Sequence, residues 1–501
     1  MDSRQLRWTL IFGLLGLLLG TKVVQGLVEP NYTPGDMVQV AMVQAGSDVE
    51  AAVRQAVALA GGLEGVIEPG DVVVVKINMV MDDPVDSGVV TDPVVTRAVV
   101  QLAREAGAGQ VIIAEGSSQY RGDPNRDRFC TRAAFQAAGY DADGDMVDDV
   151  TAAPLVDLND SGGTDVADPE KVTQVVVPDG LMLTEYWLPN VVLEADVFIS
   201  VPVLKNHALA GVTLGMKNLI GMLPNDLYHG EDRISGKHSI GHGPIALDKH
   251  IVDLSLARRP DFVVVDGQRG MTDGPVGSHL ISPPMDLILA GGDVVAVDTV
   301  GTLVMGYDPR AIPYLQFGAQ SGVGTTDTGH IQVVGMPLAQ ARRDFPAPYA
   351  SSPAERADSQ PPTVTITAPA EGEWQGTVTV TADADDDDTV VRVELYVDGQ
   401  WVGQALSPPY QFELDTWRYS SGTHTLQAVA YDYCLNQADF NRGVTFVVFQ
   451  FYLPEVPKDR PWPIPKPIAT VTSTRAGTVA SPALVVASTN AGPSDAITLE
   501  N

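Results

Sequence analysis

Histidine and lysine gather in one stretch of this chain. Five of the eight histidines lie there (His207, His229, His238, His242 and His250), together with Lys205 and Lys217. Imidazoles bind metals and carry protons, and ammonium groups hold anions. The pattern therefore points to a small anionic ligand, or to a divalent metal held by imidazoles. It stands out because the 501 residues carry 63 acidic against 31 basic side chains, a net charge of −32. A cationic pocket in so acidic a chain is a place for an anion to settle.

The segment Asp196–Leu223 reads DVFISVPVLKNHALAGVTLGMKNLIGML. An apolar run ends at Val201–Pro202, and Lys205, Asn206 and His207 follow it. In open parallel sheets that edge is where ligands bind. Taken singly, His207 reads equally as a turn histidine bonded to backbone, and Lys205 as a solvated loop lysine. Lys217 and Asn218 fall in an otherwise apolar stretch, where an unpaired lysine is costly to bury. The exposed face of an amphipathic helix is the alternative. Lys76 and Asn78 pose the same question at the end of DVVVVKINM. Asp266–Gly277 (DGQRGMTDGPVG) also follows a strand-like run. Gly267 and Gly270 there allow close backbone approach to a ligand. Asp266 and Asp273 are carboxylates for metal or acid–base work, or turn caps. His238 and His242 have helical metal-pair spacing, but Gly236, Gly241, Gly243 and Pro244 argue for a loop over a site. The chain has no G-x-S-x-G elbow, Walker A loop or H-E-x-x-H motif, which removes the standard hydrolase, nucleotide-triphosphatase and zincin readings.

The elements that must position these residues alternate between β-branched runs and amphipathic segments. Strands are predicted at Met37–Val43, Asp71–Ile77, Val111–Ala114, Val175–Val177, Val197–Val201, Phe262–Val265 and Leu287–Leu289. Helices are predicted from Ser47 to Ala60, from Asp92–Pro93 to Gly107, and over Val212–Met222, Ile245–Arg258, Asp293–Met305 and Pro309–Gln320. This alternation predicts an α/β domain with a mainly parallel sheet over 27–345. An insertion at 141–170 holds ten acidic residues and no basic one. Asp141, Asp143 and Asp145 there suggest a weak calcium site. However, Met146 stands where an EF-hand needs glycine and Ala152 where it needs glutamate, so a solvated acidic insertion is the other reading.

Residues 346–360 are rich in proline, serine and alanine and predict a linker. From residue 361 to about 453 the pattern changes to period two, and Asp398–Gly399 is a strong hairpin signal. This is an all-β sandwich, and the stretches PPTVTITAPAEGEWQGTVTVTADADDDD, VELYVDGQWVG, PPYQFELDT and GTHTLQAVAYD resemble a bacterial Ig-like domain. Residues 454–501, proline-rich and then Ser/Thr/Ala-rich, predict a disordered tail. Residues 1–26 join a basic start (Arg4, Arg7) to a short apolar run, as in a signal peptide or an N-terminal anchor. Export to the extracellular space or the cell surface is therefore expected.

The stretches VVVVKINM, TDPVVTRAVVQLAREAGAGQVIIAEGS, DVFISVPVLKNHALAGVTLGMKNLIGMLP, RRPDFVVVDGQRGMTDGPVG and GGDVVAVDTVGTLVMGYDP resemble, in that order, the family catalogued as domain of unknown function 362. The resemblance spans about 38–335. It implies that Lys76, Asn78, Lys205, His207, Lys217, Asn218 and His229 stand at family motif positions. Some relatives carry a ferredoxin-like cysteine cluster. This chain has only Cys130 and Cys434, so a cysteine-ligated iron–sulfur cluster is not expected. A looser similarity is to lactate racemase, which gathers lysine and histidine around a nickel-containing cofactor.

Two functions follow as expectations. One is an exported enzyme acting on a small anionic substrate. In it Lys205, Lys217, His207 and Asp266 are catalytic, Lys76, Asn78, Asn218, Gly267 and Gly270 bind the substrate or a cofactor, and His207 with His229 hold a metal. The other is a non-catalytic surface protein whose Ig-like domain acts as a spacer or meets a cell-surface glycan. The acidic balance argues against nucleic acid, and no membrane contact is expected beyond the N-terminal segment.

Overall fold

The computed structural model describes residues 24–25, 36–117, 130–163, 166–229, 237, 239–241, 243, 245–274, 279–347 and 355–448. The expectations for the N-terminal basic and apolar run, for His238 and His242, and for the tail lie outside the described residues.

The β-branched runs form one large sheet, with strand order Ile331–Gly335, Val38–Gln44, Leu287–Gly291, Phe262–Thr272, Val197–Val201, Val72–Ile77, Gln110–Glu115 and Leu155–Asp157. Leu287–Gly291 alone on this path runs against its neighbours. The remaining pairings are parallel, so the sheet is mainly parallel, as the unbroken apolar runs predict. Strands such as Val72–Ile77 are covered on both faces, by two separate apolar cores. A second, small sheet pairs Val24–Gln25, Val172–Val176 and Glu185–Pro189.

Capping residues set the helix starts. Asp48 caps Val49–Leu59, where Ser47 was expected. Asp92 caps Pro93–Glu105 with proline in the first turn, and Asp293 caps Val294–Val304. The predicted helix over Val212–Met222 is absent. Its residues form a short strand, Gly211–Thr213, and a 3-10 turn, Lys217–Met222. Buried Asp298 explains this, because its carboxylate accepts from Gly215 N–H and Met216 N–H at 2.7 and 2.9 Å. Those two donors are thereby committed to a partner far away in sequence.

In the acidic insertion, Asp148 accepts from the Arg97 guanidinium and from Thr151. Asp141, Asp143 and Asp149 bring carboxylate oxygens within 4.8 Å of one another. Asp145, expected as a third ligand, instead accepts from Val147 N–H. Met146 has φ 64°, so a non-glycine residue takes the left-handed conformation at the loop's glycine position.

Residues 363–446 form a sandwich of three- and five-stranded sheets around their own apolar core. Asp398 and Gly399 both have positive φ (51° and 78°) and close the predicted hairpin. The sandwich is fixed to the α/β domain. Buried Arg392 donates to the carbonyls of Thr328 and Ile331 at 3.0 and 2.7 Å, while its Nε holds Glu394. Cys434 and Leu435 join the α/β core. The end of the predicted linker is docked as well. Asp308 N–H donates to Glu355 O, Ala357 N–H to Gly306 O, and Arg342 to the carbonyls of Ala357 and Asp358.

Candidate functional site

The polar ends of the apolar strands converge on one cavity. Its walls include Lys76, Asn78, Glu115, Lys205, Thr213, Lys217 and Asn218, and its volume is about 30 Å³. That is room for about two waters or one small oxyanion. Its place in the topology is informative. From Val72–Ile77 the chain adds Gln110–Glu115 and Leu155–Asp157 on one side, then crosses to put Val197–Val201 on the other. The strand order therefore reverses between Val72–Ile77 and Val197–Val201. Lys76 stands at the carboxyl end of the first, and Ser200 and the segment leading to Lys205 at that of the second. A crevice outside the strand ends at such a reversal is where open α/β sheets hold ligands.

Lys76 is fully committed. Its ammonium donates to Ile77 O (2.8 Å), to Asn218 Oδ1 (2.9 Å) and to Glu115, whose two oxygens stand at 2.8 and 2.9 Å. The Glu115 carboxylate also accepts from Met79 N–H and Gly116 N–H. Burial pushes the Lys76 amine below its ordinary value, and Glu115 opposes the shift. Asn218 ties the floor together. It accepts from Lys76 and from Asn78 Nδ2, and it donates to Lys76 O and Ser200 Oγ. Two glycines are required by this packing. A methyl group at Gly221 would collide with the Lys76–Glu115 pair, standing 2.7 Å from Lys76 Cε, and one at Gly116 would collide with Gly221 O.

Lys205 and Lys217 face the same space. Lys205 is buried and donates to Val89 O at 3.0 Å. Burial, and then neighbouring Lys217, push its amine down to about 7. Lys217 comes from the 3-10 turn and is half-buried, with the cavity wall on one side. Burial, and then Lys76, push it down to about 8. Among the described residues its ammonium has no hydrogen-bond partner. Two further polar atoms on the wall are buried without partners, Asn78 Oδ1 and Thr213 Oγ1. Thr213 lies opposite Lys205 across the strand pair, on the same face.

The other sequence candidates do not line this cavity. His207 is buried, and its Nδ1 accepts from Leu209 N–H and Ala210 N–H, so it holds a turn. His229 ends the Asn225–Tyr228 turn of helix. Asp266 accepts from Asp92 N–H, Gln268 N–H and Gln268 Nε2, and so joins the helix start at Asp92 to its own strand. Burial raises its carboxyl above the usual range. Asp273 pairs with His279 at 2.8 Å. Gly267 and Gly270 leave no space for a ligand, because a methyl there would meet Leu287 O and Met285 Cγ respectively. His207 and Asp266 read as positional, for the physical reason that their polar atoms already accept from backbone N–H groups.

Four features of the site were not singled out from the sequence. Glu115 follows an apolar run, VIIAE, as Lys76 does, and that shared signal could have paired them. Thr213 and Gly221 gave no signal of their own. Buried Lys237 donates to Gly116 O and Asn159 Oδ1 beside the cavity. It lies within GKHSIGHGP, which reads from the sequence as a loop over a site.

Residues 73–302 match the family described as a domain of unknown function, DUF362, and residues 362–428 match the bacterial Ig domain family, in that order. A thylakoid-associated protein of Synechocystis sp. is 28% identical over 269 residues, covering 54% of this chain and 73% of that protein. Among solved structures, fibronectin(III)-like modules of Clostridium thermocellum CbhA are 28% identical over 20% of this chain, with a TM-score of 0.16. The match spans about half of that structure, 53%. A Bacteroides uniformis beta-glucuronidase is 19% identical over 18% of this chain and 11% of its own, with a TM-score of 0.15.

Proposed function

We propose that the α/β domain is the substrate-binding part of an exported enzyme and that it holds a small oxyanion in the lysine cavity. The observation that carries this reading is the set of walls. Lys205 and Lys217 project ammonium groups into a space where Glu115, the carboxylate on the wall, is already paired with Lys76. Burial disfavours the charged forms of both amines, and an anion bound between them offsets that desolvation. The small volume selects a carboxylate, a phosphate or an ion of similar size over a nucleotide or a sugar. The imidazoles of His207 and His229 are not on these walls, so lysine chemistry is the better supported reading. The basic and then apolar start of the chain supports export.

Calorimetric titration of the purified protein with formate, acetate and inorganic phosphate tests this reading. Saturable binding of at least one of them is expected. Lys205→Met or Lys217→Met is expected to weaken it about tenfold or more, the loss of one charge-assisted hydrogen bond. Absence of binding to all three at millimolar concentration overturns the assignment.

A further inference from the structure

We infer that Lys217 is an amine nucleophile, and that the cavity takes a small carbonyl-bearing carboxylate, a 2-oxo acid, to form an imine with its Nζ. This rests on the anion-binding reading above and gives the ligand a second functional group.

The argument begins with how each lysine is held. The Lys76 N–H groups are taken by Glu115, Asn218 and Ile77 O. Lys205 is anchored to Val89 O. Lys217 reaches the same space and has no such anchor among the described residues. A nucleophile needs freedom to approach its target, and of the three only Lys217 is not held by a backbone or carboxylate partner among the described residues. Its place on the cavity wall, with Lys76 nearby, shifts it toward the neutral amine. Desolvation beside a second cation is an established way to activate a lysine. Lys205 is then the counter-ion for the ligand's carboxylate.

The two orphaned wall atoms complete the fit. Thr213 Oγ1 can donate to an oxygen, and Asn78 Oδ1 can only accept. A carbonyl oxygen that becomes a hydroxyl during the reaction provides both kinds of partner. The Lys217 ammonium first loses a proton to solvent. The Nζ lone pair then forms a bond to the carbonyl carbon, and the carbonyl electron pair moves to oxygen, which takes the proton leaving nitrogen. Loss of the resulting hydroxyl as water, with the second nitrogen proton, leaves the carbon–nitrogen double bond. Amine and carbonyl go in, imine and water come out, and no oxidant or reductant is involved.

Reductive trapping tests the inference. The intact protein is incubated with glyoxylate and cyanoborohydride at neutral pH, digested, and mapped by mass spectrometry. The expected product is one carboxymethyl group, on Lys217. Lowering the amine from 10.5 to about 8 raises its neutral fraction at pH 7 by about 300-fold. Labelling of Lys217 is therefore expected to outpace that of exposed Lys171 by up to about a hundredfold, since a weaker base is also a somewhat weaker nucleophile. Acetate is expected to slow labelling at Lys217 and not at Lys171. Lys217→Arg is expected to lose the product while retaining its circular dichroism spectrum. If that variant does not fold, the site map of the wild-type protein decides by itself. Labelling of exposed lysines with none at Lys217, in a protein that still binds acetate, overturns the nucleophile and leaves the anion pocket standing. Absence of both labelling and anion binding overturns both.

Discussion

Replacing Lys76 by methionine isolates what the pair on the cavity floor contributes. The Lys76 ammonium and the Glu115 carboxylate are 2.8 Å apart, with side chains 0% and 2% exposed. At an effective dielectric of about 20, that separation corresponds to an attraction of about 6 kcal/mol. Removing both groups from water opposes this by several kcal/mol per ion, so the intact pair is close to neutral for stability. Lys76→Met removes the attraction and leaves the Glu115 carboxylate buried, with only Met79 N–H and Gly116 N–H as partners. The expected loss is about 3–5 kcal/mol. Glu115→Gln should lose a similar amount. It should also make the protein more stable as pH rises, because Lys76 then lacks the carboxylate that opposes its downward shift. The double variant should be less destabilised than the sum of the two, by about 2–3 kcal/mol. Urea unfolding of all four proteins, read by near-ultraviolet circular dichroism, measures the cycle. A loss below about 1 kcal/mol for Lys76→Met would refute the reasoning, as would additivity within about 0.5 kcal/mol.

Two further outcomes follow from the same structure. Lys205 and Lys217 titrate at about 7 and about 8 in the folded protein, below their ordinary value. An oxyanion favours their charged forms, so its affinity should be flat below about pH 6 and fall as pH rises through 7 and 8, with proton uptake on binding above about pH 6. Calorimetry in buffers of different ionisation enthalpy reads both effects. For stability the sign is opposite. The unfolded chain binds more protons between pH 7 and 10.5, so these two lysines favour the folded state more as pH rises through that window. At the domain junction, Arg392→Met leaves the buried Glu394 carboxylate without its cation, held only by the Tyr396 and Tyr431 hydroxyls, and removes the donors to the Thr328, Gly329 and Ile331 carbonyls. It should cost about 3–5 kcal/mol and speed hydrogen exchange at Thr328–Ile331. Unchanged exchange there would show that Arg392 does not hold the junction.

Local order was legible in the sequence wherever one side chain decides it. Asp92–Pro93 and Asp293 mark helix starts because a carboxylate satisfies free N–H groups within the next turn. Asp398–Gly399 marks a hairpin because both positions need positive φ. Unbroken β-branched runs such as Val72–Val75 announce strands buried on both faces. Lys76, Asn78, Lys205, Lys217 and Asn218 were visible as polar residues interrupting apolar segments, and the fold brings all five to one cavity. The helix expected at Val212–Met222 failed because Asp298, more than eighty residues away, takes the Gly215 and Met216 donors. His207 and Asp266 looked chemical because they follow strands. Only the tertiary fold places backbone N–H groups against them. The sequence by itself determined the kinds of elements and which lysines lie at their ends, since those depend on neighbours within a few residues. Tertiary structure decided which lysine is paired with Glu115 and which is left facing the cavity. That choice depends on strand order and on the absence of a side chain at Gly221, and neither has a local signature.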